Sequence, residues 1–308
     1  MTKLKIGLVG LGKIARDEHV PAIAVHPEAE LIAVASRNAK AEGVANYADL
    51  ESMLASEPDI DSIALCQPPK FRFTAARTAL LAGKHVFLEK PPGATLSEVE
   101  ALISLAQEQR VTLYASWHSR FAPDVGRAKA WAATRTITRV TINWKEDVRR
   151  WHPGQNWIWE AGGFGVFDPG INALSIVTEV LPEQLRLIDA SIYIPANRAA
   201  PIAADMAMET ASGAPVTAAF DWRQTGPQIW QIIFEAGDER FDFLQGGDDA
   251  ANTAEGEESG LSSEYRAMYR RFVSLVQDGK SEVDLAPLRL VADAFMVGRT
   301  TATDAFHD

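Results

Sequence analysis

Four short stretches of this 308-residue chain carry residue types and spacings that can do chemistry. The first is GLVGLGKIA at 7–15, in which Gly10, Gly12 and Ala15 fit G-x-G-x-x-A, with Lys13 and Ile14 in the same turn. Such a turn lets backbone approach a pyrophosphate closely and aims a helix N-terminus at it. The chemistry is dinucleotide binding. An ordinary βα turn can share the pattern, but this one follows an apolar run and opens a helix, the context the motif requires.

The second stretch is AVASRN, which places Ser36 and Arg37 where an NAD site usually carries an acid for the ribose 2′-hydroxyl. A hydroxyl and a guanidinium suit a 2′-phosphate instead, because Arg offers a bidentate, charge-assisted contact. This predicts NADP as the preferred cofactor and NAD as the second; the competing reading is a solvated Arg after a strand. The third stretch, EKPPG at 89–93, sets Glu89 and Lys90 at the end of a strand and ahead of two prolines. A lysine there faces the ligand crevice of a parallel sheet, and a lysine can shift its pKa on burial, so Glu89 and Lys90 are expected among the cofactor-binding residues. Cys66, Gln67 and Pro68 end another strand and lie near the cofactor by the same topology. Cys66 is read as a small packed residue rather than a nucleophile.

The fourth stretch, KEDVRRWHPGQNWIWE at 145–160, holds six charged side chains, one histidine and three tryptophans. A core would not want the charges and a solvated loop would not want the indoles. Glu146 can be an edge charge, an ion-pair partner of Arg149 or Arg150, or a ligand contact.

These stretches need elements to hold them. LKIGLV, AELIAVAS, DSIALC, KHVFLE and VTLYAS read as buried strands, alternating with helical stretches such as KFRFTAARTALLAG. TLSEVEALISLAQEQR adds a helix with a capping box, Thr95 facing Glu98. Strands alternating with helices imply a doubly wound, Rossmann-type parallel sheet covered on both faces. Near Trp117 the pattern changes. ITRVTINWKED alternates with period two, so Val140, Ile142, Trp144 and Glu146 share a face. QLRLIDASIYI, APVTAAFDW, QIIFEAG and RFDFLQ are further β segments expected to pair antiparallel. YRAMYRRFVSLVQDGK and APLRLVADAFMVGRTTATDAF close the chain as helices. The expected division is a dinucleotide-binding domain at 1–120 and an α/β substrate-binding and oligomerisation domain at 121–308. The acidic stretch at 246–260 reads as a surface loop.

Composition narrows the function classes. A net charge of -11 argues against nucleic acid and anionic membrane surfaces as partners. One cysteine excludes a disulfide framework and fits a reducing cytosol, so a cytoplasmic location is expected. No stretch reaches the ~18 apolar residues of a membrane span, and no signal peptide is read at the start. No His or Cys pair has metal-ligand spacing. His19, His26, His85 and His307 are read as structural, and His118 more as structural than as a ligand contact.

GLVGLGKIA, EKPPGAT and a downstream GGFGVFDPGIN together resemble the Gfo/Idh/MocA oxidoreductases, over the whole chain. IARDEH, HVFLEKPPGATL, the 145–160 stretch, FDPGINALSIVT and PLRLVADAF resemble its bacterial L-arabinose/D-galactose 1-dehydrogenase branch. The resemblance implies a second domain with a large open sheet that serves as a subunit interface. It implies oxidation of an aldopyranose such as L-arabinose, D-galactose or D-fucose at its anomeric carbon, giving the lactone, with NADP or NAD. It makes Asp168 the family's acid and Lys90 its partner in handling the proton. The family's D-x-G-x-H ends here in Asn172. A neutral amide cannot take a proton, so Asn172 is left to orient a hydroxyl. A pyranose has an apolar face and a rim of hydroxyls, which suits indoles beside polar groups. Glu146 and His152 are therefore expected at the rim and Trp151 and Trp230 at the apolar face, with Trp157 and Trp159 in packing or a subunit interface. The alternatives are a polyol or inositol dehydrogenase, an NAD-dependent glycosidase, or a non-catalytic NADP-binding regulator.

Overall fold

The computed structural model describes residues 3–244 and 260–307, so nearly all of the predicted acidic loop, 246–259, lies outside the described residues. The chain divides into two compact units: Met1–His118 with Leu261–Asp284, and Ser119–Gly260 with Leu285–Asp308. The sequence reading cuts the chain once, near residue 120; here the later segment 261–284 joins the first unit.

The first unit is built on β1 (Leu4–Val9), β2 (Ala29–Ala35), β3 (Ala45–Tyr47), β4 (Ser62–Leu65), β5 (His85–Leu88) and β6 (Leu113–Ala115). They form one sheet in the order β3-β2-β1-β4-β5-β6, and every neighbouring pair is parallel. This is the doubly wound order, with its switch point between β1 and β4. β3 escapes sequence reading because three residues show no period. After β1 the chain makes a wide π-type turn, Ala15–His19, and continues into α1 (Val20–Ala24). The remaining helices are α2 (Leu50–Ser56), α3 (Arg72–Leu81) and α4 (Leu96–Gln109). The expected capping box opens α4: Thr95 Oγ1 accepts from the Glu98 amide and the Glu98 carboxylate accepts from the Thr95 amide.

The returning helix, Gly260–Asp278, explains the split in sequence. It buries Tyr265, Met268, Tyr269 and Phe272 along one stripe. Tyr269 stacks on Phe87 of β5 with ring centroids 5.0 Å apart, and Phe272 meets Tyr114 of β6 at 6.1 Å. His118 is buried and pairs with Glu264 at 2.7 Å, a structural use.

The second unit adds α5 (Pro123–Ala132), β7 (Arg139–Lys145), α6 (Val148–Trp151), α7 (Phe167–Val180), β8 (Leu185–Pro195), β9 (Ala203–Thr210), β10 (Pro215–Asp221), β11 (Ile229–Ala236) and β12 (Glu239–Leu244). Numbering the returning helix α8, the chain ends with α9 (Ala286–Val297) and β13 (Arg299–Thr303). Seven strands form an open sheet in the order β12-β11-β7-β10-β9-β8-β13. It is mostly antiparallel, as expected, but two pairs correct the sequence reading: β7 with β10, and β8 with β13, run parallel. β9 was not foreseen either. AADMAMET is poor in β-branched and aromatic residues, and it is a strand because β8 and β10 flank it. The last predicted helix ends at Val297; RTTAT then pairs along β8 as an edge strand.

The predicted alternation in β7 is present. Val140, Ile142 and Trp144 are buried on one face, and Glu146 continues it. α7 carries buried residues on almost every side, as a helix enclosed by its own unit should.

Candidate active site

The glycine turn stands at the switch point of the first sheet. Gly10 donates to the Ala35 carbonyl at 2.9 Å, and Cys66 donates to the Val9 carbonyl at 2.9 Å, so the ends of β1, β2 and β4 are tied together. Gly10 has φ +91°, and a Cβ there would lie 2.8 Å from the Gln67 amide nitrogen. A Cβ on Gly12 would stand in open space. A cavity of about 820 Å³ opens at this point. Gly10, Gly12, Ser36, Arg37, Cys66, Gln67 and Pro68, seven of the residues read from the sequence as cofactor contacts, line it. Bare glycine backbone beside a helix start, with Arg37 at the second strand's end, fits a dinucleotide phosphate chain. Four other predicted cofactor residues, Lys13, Ile14, Glu89 and Lys90, are not among its lining residues. Lys13 pairs with Asp17 on the surface. Arg16 and Lys70, two cations the sequence reading passed over, do line the cavity. Burial, then the Glu89 carboxylate, push the Cys66 thiol well above its ordinary range, which suits a packed residue and not a nucleophile.

Glu89 faces the interior of the first unit. It is 2% exposed, accepts a hydrogen bond from the Tyr265 hydroxyl, and has His19 Nε2 at 3.5 Å. His19 in turn shares a 2.7 Å hydrogen bond with the Tyr269 hydroxyl. Arg72 of α3 donates to the backbone carbonyls of Glu89 and Pro91, on either side of Lys90. The Lys90–Pro91 peptide is cis. α3 and α8 thus grip the strand end that presents Lys90.

Burial alone would raise the Glu89 carboxyl; His19, then Arg72 and Lys90, outweigh it and hold it at about 2 against an ordinary 4.5. The unfolded chain therefore takes up this proton first. The stabilisation is complete above pH 4.5 and is lost as the pH falls toward 2. At about 1.4 kcal/mol per pH unit it is on the order of 3 kcal/mol. Glu89→Gln should lose stability less steeply than the native chain between about pH 4.5 and 3. Urea denaturation at a series of pH values checks this; parallel curves would show that Glu89 contributes no such slope.

In the second unit a tighter constellation forms around Glu146. Glu146 leaves the end of β7 and is 5% exposed. A buried carboxylate needs donors, and the flanking strands supply indoles. Trp222 follows β10, which pairs with β7 on one side; its Nε1 donates to Glu146 Oε1 at 3.2 Å. Trp230 lies on β11, paired on the other side, and its Nε1 donates to Oε2 at 3.0 Å. Trp222 was missed by sequence reading, which saw only a strand end. Arg149 pairs with Asp147 at 2.8 Å, and Arg150 lies 5.1 Å from the Trp151 ring centroid. Trp151 and Trp230 stand 5.2 Å apart, and the Trp151 Nε1 donates to Gln228. Trp159 is buried edge-on to Trp222 at 5.2 Å, a packing use.

His152 caps α6 and lies between two carboxylates. Its Nε2 is 3.9 Å from Glu146 Oε1 and 3.7 Å from Asp168 Oδ2. Asp168 sits in the first turn of α7, where the helix dipole favours an anion, and is 4% exposed. Two glycines steer the chain into this turn. A Cβ on Gly163 would meet the Trp157 carbonyl oxygen at 2.2 Å, and one on Gly165 would meet that of Pro201 at 2.2 Å. Gly165 also has φ +54°, and its carbonyl accepts from the Asp168 amide at 2.8 Å. Asn172 lies one helical turn on, half-buried on the same side as Asp168. The structure thus brings Glu146, His152, Asp168 and Trp230 together, with Trp151 beside Trp230, while Lys90 belongs to the first unit. Among the described residues, no group of three or more His, Cys, Asp or Glu side chains could hold a metal ion. None of the described helices is long and apolar enough to cross a membrane.

A doubly wound sheet with a glycine turn at its switch point, followed by a unit with a seven-stranded mixed sheet, is the architecture of a dinucleotide-binding protein. The chain belongs to the Gfo/Idh/MocA oxidoreductase family; residues 4–116 match that family, described as an oxidoreductase family with an NAD-binding Rossmann fold. The chain is 43% identical to a galactose 1-dehydrogenase of Pseudomonas fluorescens, covering 100% of both. The crystal structure of a D-galactose-1-dehydrogenase from Rhizobium etli matches with a TM-score of 0.91 at 52% identity, over 100% of this chain and 99% of that one. A myo-inositol 2-dehydrogenase from Lactobacillus plantarum matches with a TM-score of 0.82 over 96% of this chain and 97% of that one. At 16% identity, that likeness is one of fold.

Proposed function

We propose that this enzyme is an NADP-dependent aldose 1-dehydrogenase that oxidises C1 of a galactose-type pyranose to the lactone. The observation that carries the reading is the Glu146 carboxylate clasped by two indole N–H groups beside His152 and Asp168. The whole-length relatives named for galactose support it. D-Galactose, L-arabinose and D-fucose share ring configuration and differ at C5, so one pocket can accept all three. Bound cofactor supplies the hydride acceptor, at C4 of its nicotinamide. Gly10, Gly12, Lys13, Ile14, Cys66, Gln67 and Pro68 hold the dinucleotide, Ser36 and Arg37 its 2′-phosphate, and Glu89 and Lys90 the strand end beside it. Lys90 and Asp168 handle the hydroxyl proton, and Asn172 orients the reacting hydroxyl. Glu146 and His152 bind the hydroxyl rim, with Trp151 and Trp230 against the apolar face. Cytoplasmic action and homo-oligomer assembly through the open face of the second sheet belong to the same proposal.

The test is a panel of aldoses and polyols with NADP and with NAD, following reduced nicotinamide by absorbance and identifying the product. A lactone from D-galactose, L-arabinose or D-fucose is the expected result. A cyclic ketone from a polyol would move the reading to an inositol-type dehydrogenase, and cofactor binding without turnover would make the chain a regulator.

Arg37→Ala tests the cofactor assignment. A charge-assisted hydrogen bond contributes roughly 1.5–3 kcal/mol, and about 1.4 kcal/mol is tenfold in affinity. NADP binding should weaken by about ten- to a hundredfold while NAD binding stays nearly unchanged, as read by fluorescence or calorimetric titration. Equal losses for both would remove Arg37 from the 2′-phosphate.

A further inference from the structure

We infer that His152 carries the reaction's proton from Asp168 to solvent, a role that rests on the sugar-dehydrogenase reading and extends it beyond hydroxyl binding. The oxidation releases one proton per turnover. C1 gives up its hydrogen with two electrons as hydride to the nicotinamide, the O–H bond breaks, and C1–O becomes the lactone carbonyl. The proton passes to the Asp168 carboxylate. Asp168 must then be cleared before the next sugar reacts, yet its side chain is only 6% exposed. Asn172, one turn along α7, cannot take a proton.

His152 has the properties the exit needs. Its Nε2 is 3.7 Å from Asp168 Oδ2, within the reach of a small side-chain movement or one bridging hydroxyl. Its side chain is 16% exposed, against 6% for Asp168 and 6% for Glu146, so it is the member of the trio most open to water. Two carboxylates of its own unit face it, Asp168 from α7 and Glu146 from the end of β7. Both Glu146 oxygens accept indole N–H bonds, which fixes the carboxyl in place. A carboxylate held 3.9 Å away would favour the imidazolium while it exists. The ring is also positioned. Trp222 lies 5.2 Å from it, Gln155 Oε1 is 3.5 Å from Nδ1, and the His152 amide donates to the Val148 carbonyl at 2.8 Å. The sequence of transfers is hydroxyl to Asp168, Asp168 to His152 Nε2, and imidazolium to water or buffer.

The experiment is steady-state kinetics of His152→Ala with saturating D-galactose and NADP, across pH and with added imidazole or methylimidazoles. General acid–base groups contribute ~10²–10⁴-fold, and a relay group is placed at the lower end. kcat should therefore fall by about a hundredfold, whatever happens to the sugar KM. Added imidazoles should restore kcat in proportion to their basicity, and the acid limb of the pH profile should follow the rescuer's pKa. Folding is checked by thermal melting and by sugar-induced quenching of tryptophan fluorescence. If His152→Ala does not fold, His152→Gln is judged by the same profile, and loss of the native acid limb is the expected result. A raised sugar KM with kcat within threefold of native, or a lowered kcat that no imidazole restores in folded protein, overturns the relay while the sugar reading stands. A native enzyme that reduces NADP or NAD with no aldose overturns the sugar reading and the relay with it.

Discussion

Lys90→Ala and Asp168→Ala should each lower kcat by about 10²- to 10⁴-fold at saturating sugar, the usual contribution of a general acid or base. Both should leave NADP binding nearly intact, because neither residue lines the cavity around the glycine turn. Groups that act as a unit are not additive, so the double variant should be little slower than the slower single one. Asn172→Ala should cost less, since orienting a hydroxyl removes no proton acceptor. Single-turnover reduction of NADP by saturating sugar, with cofactor binding measured separately, checks all four variants. Native rates in Asp168→Ala would leave Lys90 or His152 as the base. Native rates in Lys90→Ala as well would remove the proposed pair altogether.

Glu146 should give the next largest effect, and its two substitutions separate binding from folding. Glu146→Gln keeps one oxygen acceptor, but its amide nitrogen then faces an indole N–H. Glu146→Leu leaves both indole donors, Trp222 and Trp230, without their acceptor. An unsatisfied buried group costs about 1–3 kcal/mol; Trp222 is fully buried and Trp230 half-buried, so Glu146→Leu should lose roughly 1–3 kcal/mol of stability and Glu146→Gln less. Both should raise the sugar KM by about ten- to a hundredfold, the worth of a lost charge-assisted contact, with the NADP KM little changed. Urea denaturation and initial-rate kinetics read the two effects independently. A loss of folded protein with normal sugar KM in the fraction that remains would make Glu146 a scaffold residue.

How far the sequence could carry these assignments depended on whether the determinant was local. Gly10, Gly12, the apolar run before them and the helix after them sit within a few residues of one another, so spacing and immediate context together are legible as a dinucleotide-type turn. The Thr95–Glu98 capping box is equally local, and both its hydrogen bonds are present. The period-two face from Val140 to Glu146 was legible because side-chain direction alternates along any strand. What holds Glu146 was not. Trp222 reaches it because β10 lies parallel to β7, and a strand's register with a distant partner leaves no mark in its own pattern. The approach of His152 to Asp168 likewise joins α6 to α7 through a loop whose course depends on Gly163 and Gly165. β9 lacked the residues that announce a strand, and its neighbours supply what its composition does not.

The helix α8 has a consequence for how the protein is made. The ring of His19, fully buried, bonds to Tyr269, 250 residues further along the chain, and Glu89 bonds to Tyr265, 176 further on. A ribosome delivers the strands of this sheet well before the helix that seals Phe87 and Tyr114. At about 5–20 residues per second, the nascent first unit waits roughly ten to thirty seconds with that aromatic face uncovered. Until then the first unit lacks one wall of its aromatic core, so its completion waits on synthesis of the intervening segment 119–260 that belongs to the second unit.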